Sequence, residues 1–293
     1  MKKTMVLTVM VCAMALVNFA SADTIRGIDI DFVNIGHAGN AADFPNSPVN
    51  FGAVGYDYQI GKYAVTNAQW DAFTAAAGAP TGTDGGYSLG SYWTGSQKPT
   101  NNISWYEAAQ FCNYLTSGDK SKGAYQFSGN NAYPDAFQGI NRAAAISAYG
   151  IAYVLPTEDE WYKAAYFKPD GSGYSLYANG TSTPPIAGVQ SNYDWAIGSP
   201  WNVGSGTMEQ NGTYDMMGNV FQWTESDESR FNIPQCRILR GECYFGGDGN
   251  SGSAAGDYPS KEADCYGFRV ASVPEPATLF LLGIGFLGLR KRK

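Results

Sequence analysis

Tyr153-Val154-Leu155-Pro156-Thr157-Glu158-Asp159-Glu160-Trp161 holds the change of secondary structure on which the fold turns. The first residues read as an extended segment that Pro156 ends, because the residue before a proline is pushed out of the helical region. Thr157 is then a helix N-cap, and Glu160 stands three places on to complete a capping box. Trp161, Ala164, Ala165 and Phe167 supply the buried face of the helix that follows. Glu158, Asp159 and Glu160 sit in the first turn, where the helix dipole favours acids. A strand feeding a short capped helix is an α+β device.

The same device recurs upstream. Ser104 with Glu107 opens a helix whose inner stripe is Trp105, Ala108, Ala109, Cys112 and Leu115. Thr66 caps Asn67 to Ala77, with Trp70 and Phe73 at i, i+3 spacing, and the stretch Tyr58 to Val65 that leads into it reads as a strand. Ile28, Ile30 and Phe32 alternate with Asp29, Asp31 and Val33, which suits a half-buried strand. Between these elements lie glycine-, asparagine- and serine-rich stretches: 78–95, 117–138, 168–212 and 246–258. Loops this long are uncommon unless they carry function or are held by metal ions or disulfides. Gly218-Asn219 marks a tight turn with positive φ, and Trp105, Trp161 and Trp223 read as core.

Composition narrows the function. The 293 residues include 36 Gly, five Cys and one His, and charged residues make up 15 %. His37, in a loop, lacks the partners that a three-histidine metal centre requires, and no cysteine spacing fits a zinc ribbon or a haem-attachment motif. A net charge of −7 argues against nucleic acid as a partner, since the phosphate backbone is held by Lys and Arg.

Both ends read as addresses. Residues 1–22 carry Lys2 and Lys3, an apolar stretch and Ala20-Ser21-Ala22, the pattern of a signal peptide cut by signal peptidase. Residues 273–293 begin with Val273-Pro274-Glu275-Pro276, continue through apolar Ala277 to Leu289 and end on Arg290-Lys291-Arg292-Lys293. The apolar part makes about 20 Å of helix, short of the ~30 Å hydrocarbon core, and the terminal cations would hold it on the cytoplasmic side. This tail resembles the PEP-CTERM sorting signal of Gram-negative bacteria, which implies an exosortase as processing partner and a transient inner-membrane anchor. The expected destination is the periplasm, outer envelope or extracellular matrix. Residues 23–272, roughly 250 in number, then form one domain.

Six motifs in that domain, in order, resemble the formylglycine-generating enzyme, or sulfatase-modifying factor, family. They are Tyr58 to Trp70, Ile103 to Cys112, Tyr153 to Trp161, Asn211 to Trp223, Arg237 to Gly241 and Gly267 to Val270. The resemblance implies a single-domain, loop-rich variant of the C-type lectin fold. The family's chemistry converts a substrate cysteine to formylglycine through two cysteines, five residues apart, that bind Cu(I); soft thiolates suit that ion. Aligned on Arg240-Gly241 and Tyr244, this chain places Gly246 and Ser251 at those two positions. Cys243 occupies the family's serine position and is the remaining candidate for a catalytic thiol, with no histidine near it in sequence to activate it.

Two further expectations follow. The exported body keeps Cys112, Cys236, Cys243 and Cys265, an even number in an oxidising compartment, which points to disulfides or inert core thiols with three possible pairings. The resemblance also implies structural calcium, at Asn192, Tyr193, Gly204 and Gly206 and at Asn219, Val220 and Gln222, although the family's anionic ligands are replaced here by Gly204 and Gln222. Hydrogen-bonded turns without metal are the other reading of both places. Function is thus expected to be one of three: a module without the oxidase centre that binds a peptide, glycan or envelope partner; a working oxidase with a rearranged thiol site; or a structural matrix protein.

Overall fold

The computed structural model describes residues 22–43, 50–228 and 233–274. The expected signal peptide as far as Ser21, and Glu275, Pro276, the apolar segment and the basic end of the tail, lie outside those residues.

The N-terminal hairpin pairs β1 (Ala22–Ile25) with β2 (Ile28–Ile35), and the expected alternation holds: Ile28, Ile30 and Phe32 are buried while Asp29 is exposed. β3 (Tyr58–Gly61) follows β2 in the sheet, ending four residues before the sequence suggests, because the chain must turn into α1 (Asn67–Ala77). The five-stranded sheet is completed by β6 (Ile151–Val154) and β11 (Ala271–Pro274), in the order β1-β2-β3-β11-β6 with every pair antiparallel. Val273 and Pro274, read from sequence as the start of the tail, pair with Ala152 and Ile151 and belong to the domain's closing strand.

Both expected capping boxes form, at Ser104 ahead of α2 (Trp105–Ser117) and at Thr157 ahead of α4 (Glu158–Tyr166), and the expected cap Thr66 forms a third box with Gln69. α2 departs from a one-sided stripe: every residue from Trp105 to Thr116 is buried. It packs against both β6 and α1. Trp70 stacks on Phe111 with centroids 6.1 Å apart. Trp105, Trp161 and Trp223 are fully buried, as expected of core residues. A buried helix must satisfy its acids: Glu107 accepts from its own cap Ser104 N–H (2.8 Å) and from the Thr83 hydroxyl (2.8 Å), tying the 78–95 loop to the core. The loop between α2 and the hairpin of β4 (Tyr125–Phe127) and β5 (Phe137–Ile140) is held by Lys120, which donates to the two carbonyls just past the end of α1, Gly78 (2.7 Å) and Ala79 (2.8 Å).

One helix was not anticipated, α3 (Arg142–Tyr149). It delivers Arg142 to Glu160 (2.8 Å) and Glu225 (2.9 Å). The three acids stand in the first turn of α4 as expected, and Glu158 and Glu160 are in addition fully buried ion-pair members, with Arg240 and Arg142 as their partners. The second sheet, β10-β7-β8-β9, is built from β7 (Phe221–Glu228), β8 (Ile233–Arg240), β9 (Ala255–Asp257) and β10 (Tyr266–Phe268), with β10 and β7 parallel.

Candidate functional site

The turn that leaves β8 carries the residues singled out from sequence. Gly241 and Glu242 both take positive φ (93° and 60°), so the chain reverses sharply after Arg240. Opposite it, Gly218 and Asn219 form the expected positive-φ turn (82° and 67°). The two turns interlock: Gly218 N–H donates to Gly241 O (2.5 Å), and Tyr244 N–H donates to Asn219 O (3.1 Å). A Cβ on Gly218 would lie 2.1 Å from the carbonyl oxygen of Asn192, so only glycine fits there. A third turn closes on the same place, with Asp194 N–H on Gly246 O (2.9 Å) and Trp195 N–H on Tyr244 O (2.9 Å).

This clasp puts aromatic rings on the surface. Trp195 is 59 % exposed and stacks on Phe245, 39 % exposed, with centroids 5.3 Å apart and planes 29° from parallel. Tyr244 stands edge-on to both, and Trp93 stands edge-on to Tyr244 beneath them. Val220 is buried in that same cluster. Sequence reasoning passed over Trp195 and Phe245; the available signal was a tryptophan set in a polar loop stretch.

Beneath the shelf, Cys243 (fully buried) and Cys265 (7 % exposed) are both thiols, and their side chains share a hydrogen bond. The sequence places both in strands near the domain's closing segment, but Cys243 is in the turn after β8 and Cys265 in the turn before β10. The shared hydrogen bond lowers the pKa of Cys243 despite burial, with help from the N–H groups of Phe245 and Gly246, and raises that of Cys265. Cys112 sits in the main core, its thiol pushed up by burial, and Cys236 is buried on β8.

The positions implied for copper do not fit it. Gly246 offers no side chain, and a Cβ there would lie 2.5 Å from Glu242 Oε2. Ser251 is buried, its N–H bonded to Leu176 O (2.8 Å), and its hydroxyl is a hard donor that Cu(I) does not favour. Among the described residues no cluster of three or more His, Cys, Asp or Glu could hold a metal ion.

Calcium fares no better on the residues as placed. Gln222 Oε1 accepts from Trp161 Nε1 (2.9 Å) and Arg269 Nε (3.0 Å), so a guanidinium stands where a dication needs negative charge. Asn219 Oδ1 accepts from Trp201 N–H (3.0 Å) and the Asn192 carbonyl from Asn219 N–H (2.8 Å). Tyr193 donates its hydroxyl to Pro185 O (2.6 Å), and Gly204 gives its N–H to Asp215 Oδ2 (2.8 Å). Gly206 lies so close to Gln190 O that a Cβ would sit 2.3 Å away. Asn192 Oδ1 is one buried oxygen here with no partner, far from the roughly six to eight that calcium takes. The arrangement is that of hydrogen-bonded turns.

Deeper still, Arg269 donates to Gly61 O (2.6 Å) and Tyr214 O (2.6 Å), facing buried Glu209 and Asp215. Burial raises Glu209 to about 7, against the pull of Arg269. His37 lies exposed in its loop, Nε2 against Pro169 O (2.9 Å), lining a cleft of about 720 Å³ with Asn40, Asp43, Phe167 and Tyr174; none of the residues expected to act lines it.

Comparison with known proteins agrees with this fold. The chain is 28 % identical over 206 residues to the chaperone protein LppX of Paenibacillus barcinonensis, covering 63 % of this chain and 68 % of that one. It is 26 % identical over 195 residues to hercynine oxygenase of Mycobacterium tuberculosis, where the match takes in 65 % of this chain but only 43 % of the relative. Among solved structures, CarF superposes with TM-score 0.61 at 23 % identity (84 % of this chain, 99 % of CarF) and Treponema denticola variable protein 1 with 0.62 at 23 % (87 % and 99 %). These neighbours share the loop-rich α+β, C-type-lectin-like architecture of the formylglycine-generating-enzyme type. The tail, residues 272–293, matches the PEP-CTERM protein-sorting motif, which indicates export to the envelope of a Gram-negative bacterium; no helix of the described residues is long and apolar enough to cross a membrane. Residues 31–273 match the sulfatase-modifying factor enzyme 1-like domain, and the chain belongs to that family.

Proposed function

We propose that this chain is an exported, envelope-associated member of the family that recognises a ligand on its aromatic shelf and lacks the copper-thiolate oxidase centre. The observation behind this reading is the pairing of exposed Trp195 and Phe245 directly above a turn whose two implied copper positions are Gly246 and Ser251. A rigid stacked pair, held from below by Tyr244 and Trp93, offers apolar area at little entropic cost and suits a sugar ring or an aromatic or proline side chain of a peptide. LppX carries the name of a chaperone, which favours a binding role in this branch of the family. Exosortase is the processing partner implied by the tail. Glycan and peptide arrays probed with the mature domain test the reading: a defined ligand is expected, and copper-dependent oxidation of a cysteine peptide would overturn it.

A second reading has one observation in its favour. Cys243 and Cys265 bring two soft donors together, as an oxidase with a rearranged thiol site would need for Cu(I). Hercynine oxygenase, a named enzyme, is among the relatives. Copper titration of the purified protein separates the two, since this second reading requires a one-to-one thiolate complex.

A further inference from the structure

We propose that Cys243 and Cys265 form a disulfide in the exported protein, fastening the turn beneath the aromatic shelf to the segment that enters β10. The backbone explains why these two side chains meet. Residues 219–221 are flanked on one side by the 243–246 turn and on the other by the 263–265 turn. Tyr244 N–H is bonded to Asn219 O (3.1 Å), and Phe221 N–H to Cys265 O (2.9 Å). Each turn is also closed on itself, by Gly246 N–H on Cys243 O (2.9 Å) and Tyr266 N–H on Ala263 O (2.9 Å), and Asn101 Nδ2 holds Asp264 O (2.6 Å). Two separate turns are thus pinned to one short stretch by main-chain hydrogen bonds, which brings the two thiols near enough to share a hydrogen bond.

The chemistry is thiol–disulfide exchange with an oxidising disulfide of the envelope compartment. A thiolate of the pair attacks that disulfide, releasing one thiol and leaving a mixed disulfide; the second cysteine then attacks the sulfur of the first and expels the oxidant's remaining half as the other thiol. Two S–H bonds are lost, one S–S bond forms, and the oxidant leaves as two thiols carrying both protons. Export places the chain where such oxidants operate. The inference stands apart from the ligand-binding reading: a cystine leaves no thiolate for copper, while its absence would leave the shelf in place.

Full-length precursor exported to the periplasm of a Gram-negative host, quenched with an alkylating agent, digested without reduction and analysed by mass spectrometry decides it. A cross-linked peptide joining Cys243 to Cys265, two hydrogens lighter than its separate parts and resolved by reduction, is the expected result. Alkyl groups on both residues, or linkage of either to Cys112 or Cys236, overturns the pairing. Alkylation of both only after copper is stripped by a Cu(I) chelator overturns it as well, and also removes the binding-only reading. Alkylation without any dependence on copper overturns the disulfide alone.

Discussion

Tyr244 donates its main-chain N–H to the carbonyl oxygen of Asn219 at 3.1 Å, across two turns that both run through left-handed backbone. Through that one bond the Gly218-Asn219 turn, a family motif legible in the sequence, sets the height of the aromatic shelf, which was not. The following expectations depend on how firmly the two are coupled.

Gly218→Ala should be severely destabilising. Its φ of 82° disfavours any Cβ, and the added atom would lie 2.1 Å from the backbone oxygen of Asn192, which has no freedom to withdraw. A loss of about 3 kcal/mol or more in urea unfolding is expected; a change within about 0.5 kcal/mol would mean that the turn relaxes freely.

Glu209 gives a pH signature. The unfolded chain releases its proton near the ordinary value of 4.5 and the folded chain at about 7, so the folded protein holds an extra proton in that window. Stability from this group therefore falls as pH rises from about 4.5 to about 7 and levels off above it, by about 3 kcal/mol at most. Glu209→Gln should flatten that part of the wild-type profile, read as urea midpoints at a series of pH values.

Trp195→Ala should leave the fold in place and remove the ligand. The side chain is 59 % exposed and its main-chain bond to Tyr244 survives the truncation. Unfolding free energy should move by less than about 1 kcal/mol, while affinity for a ligand found on the arrays falls tenfold or more. Unchanged affinity, measured by calorimetry, would take the shelf out of the binding face.

Chelation with EGTA should not lower the melting temperature, because the oxygens at Asn219, Gln222 and the Asn192 carbonyl are already engaged by protein donors and Arg269 stands beside Gln222. A fall of several degrees, restored by added calcium, would contradict the turns as drawn.

Much of the architecture could be read from local signals. Thr66 announced a helix as an N-cap, and Ser104 and Thr157 announced two more because a capping box is written in four consecutive residues. Ile28, Ile30 and Phe32 announced a strand through strict alternation. α3 escaped because its cap, Asn141, lacks the acidic or amide residue three places on, and its alanines carry little amphipathic contrast. The acids Glu158 and Glu160 were read by their position in a helix, whereas their partners Arg240 and Arg142 come from β8 and the unforeseen α3. The site divides in the same way. Gly246 and Ser251 could be placed by counting from Arg240, but the meeting of Cys243 with Cys265 depends on two turns docking on residues 219–221, and no spacing along the chain encodes that.

Oxygen consumption by the purified domain, loaded with one equivalent of Cu(I) and given a cysteine-containing peptide, weighs recognition against oxidation without intermediaries. Uptake no greater than that of copper and peptide alone is expected, with the peptide's cysteine unchanged by mass. Uptake accompanied by conversion of that cysteine to formylglycine, and abolished by Cys243→Ser, would show that the rearranged thiol pair is a working centre.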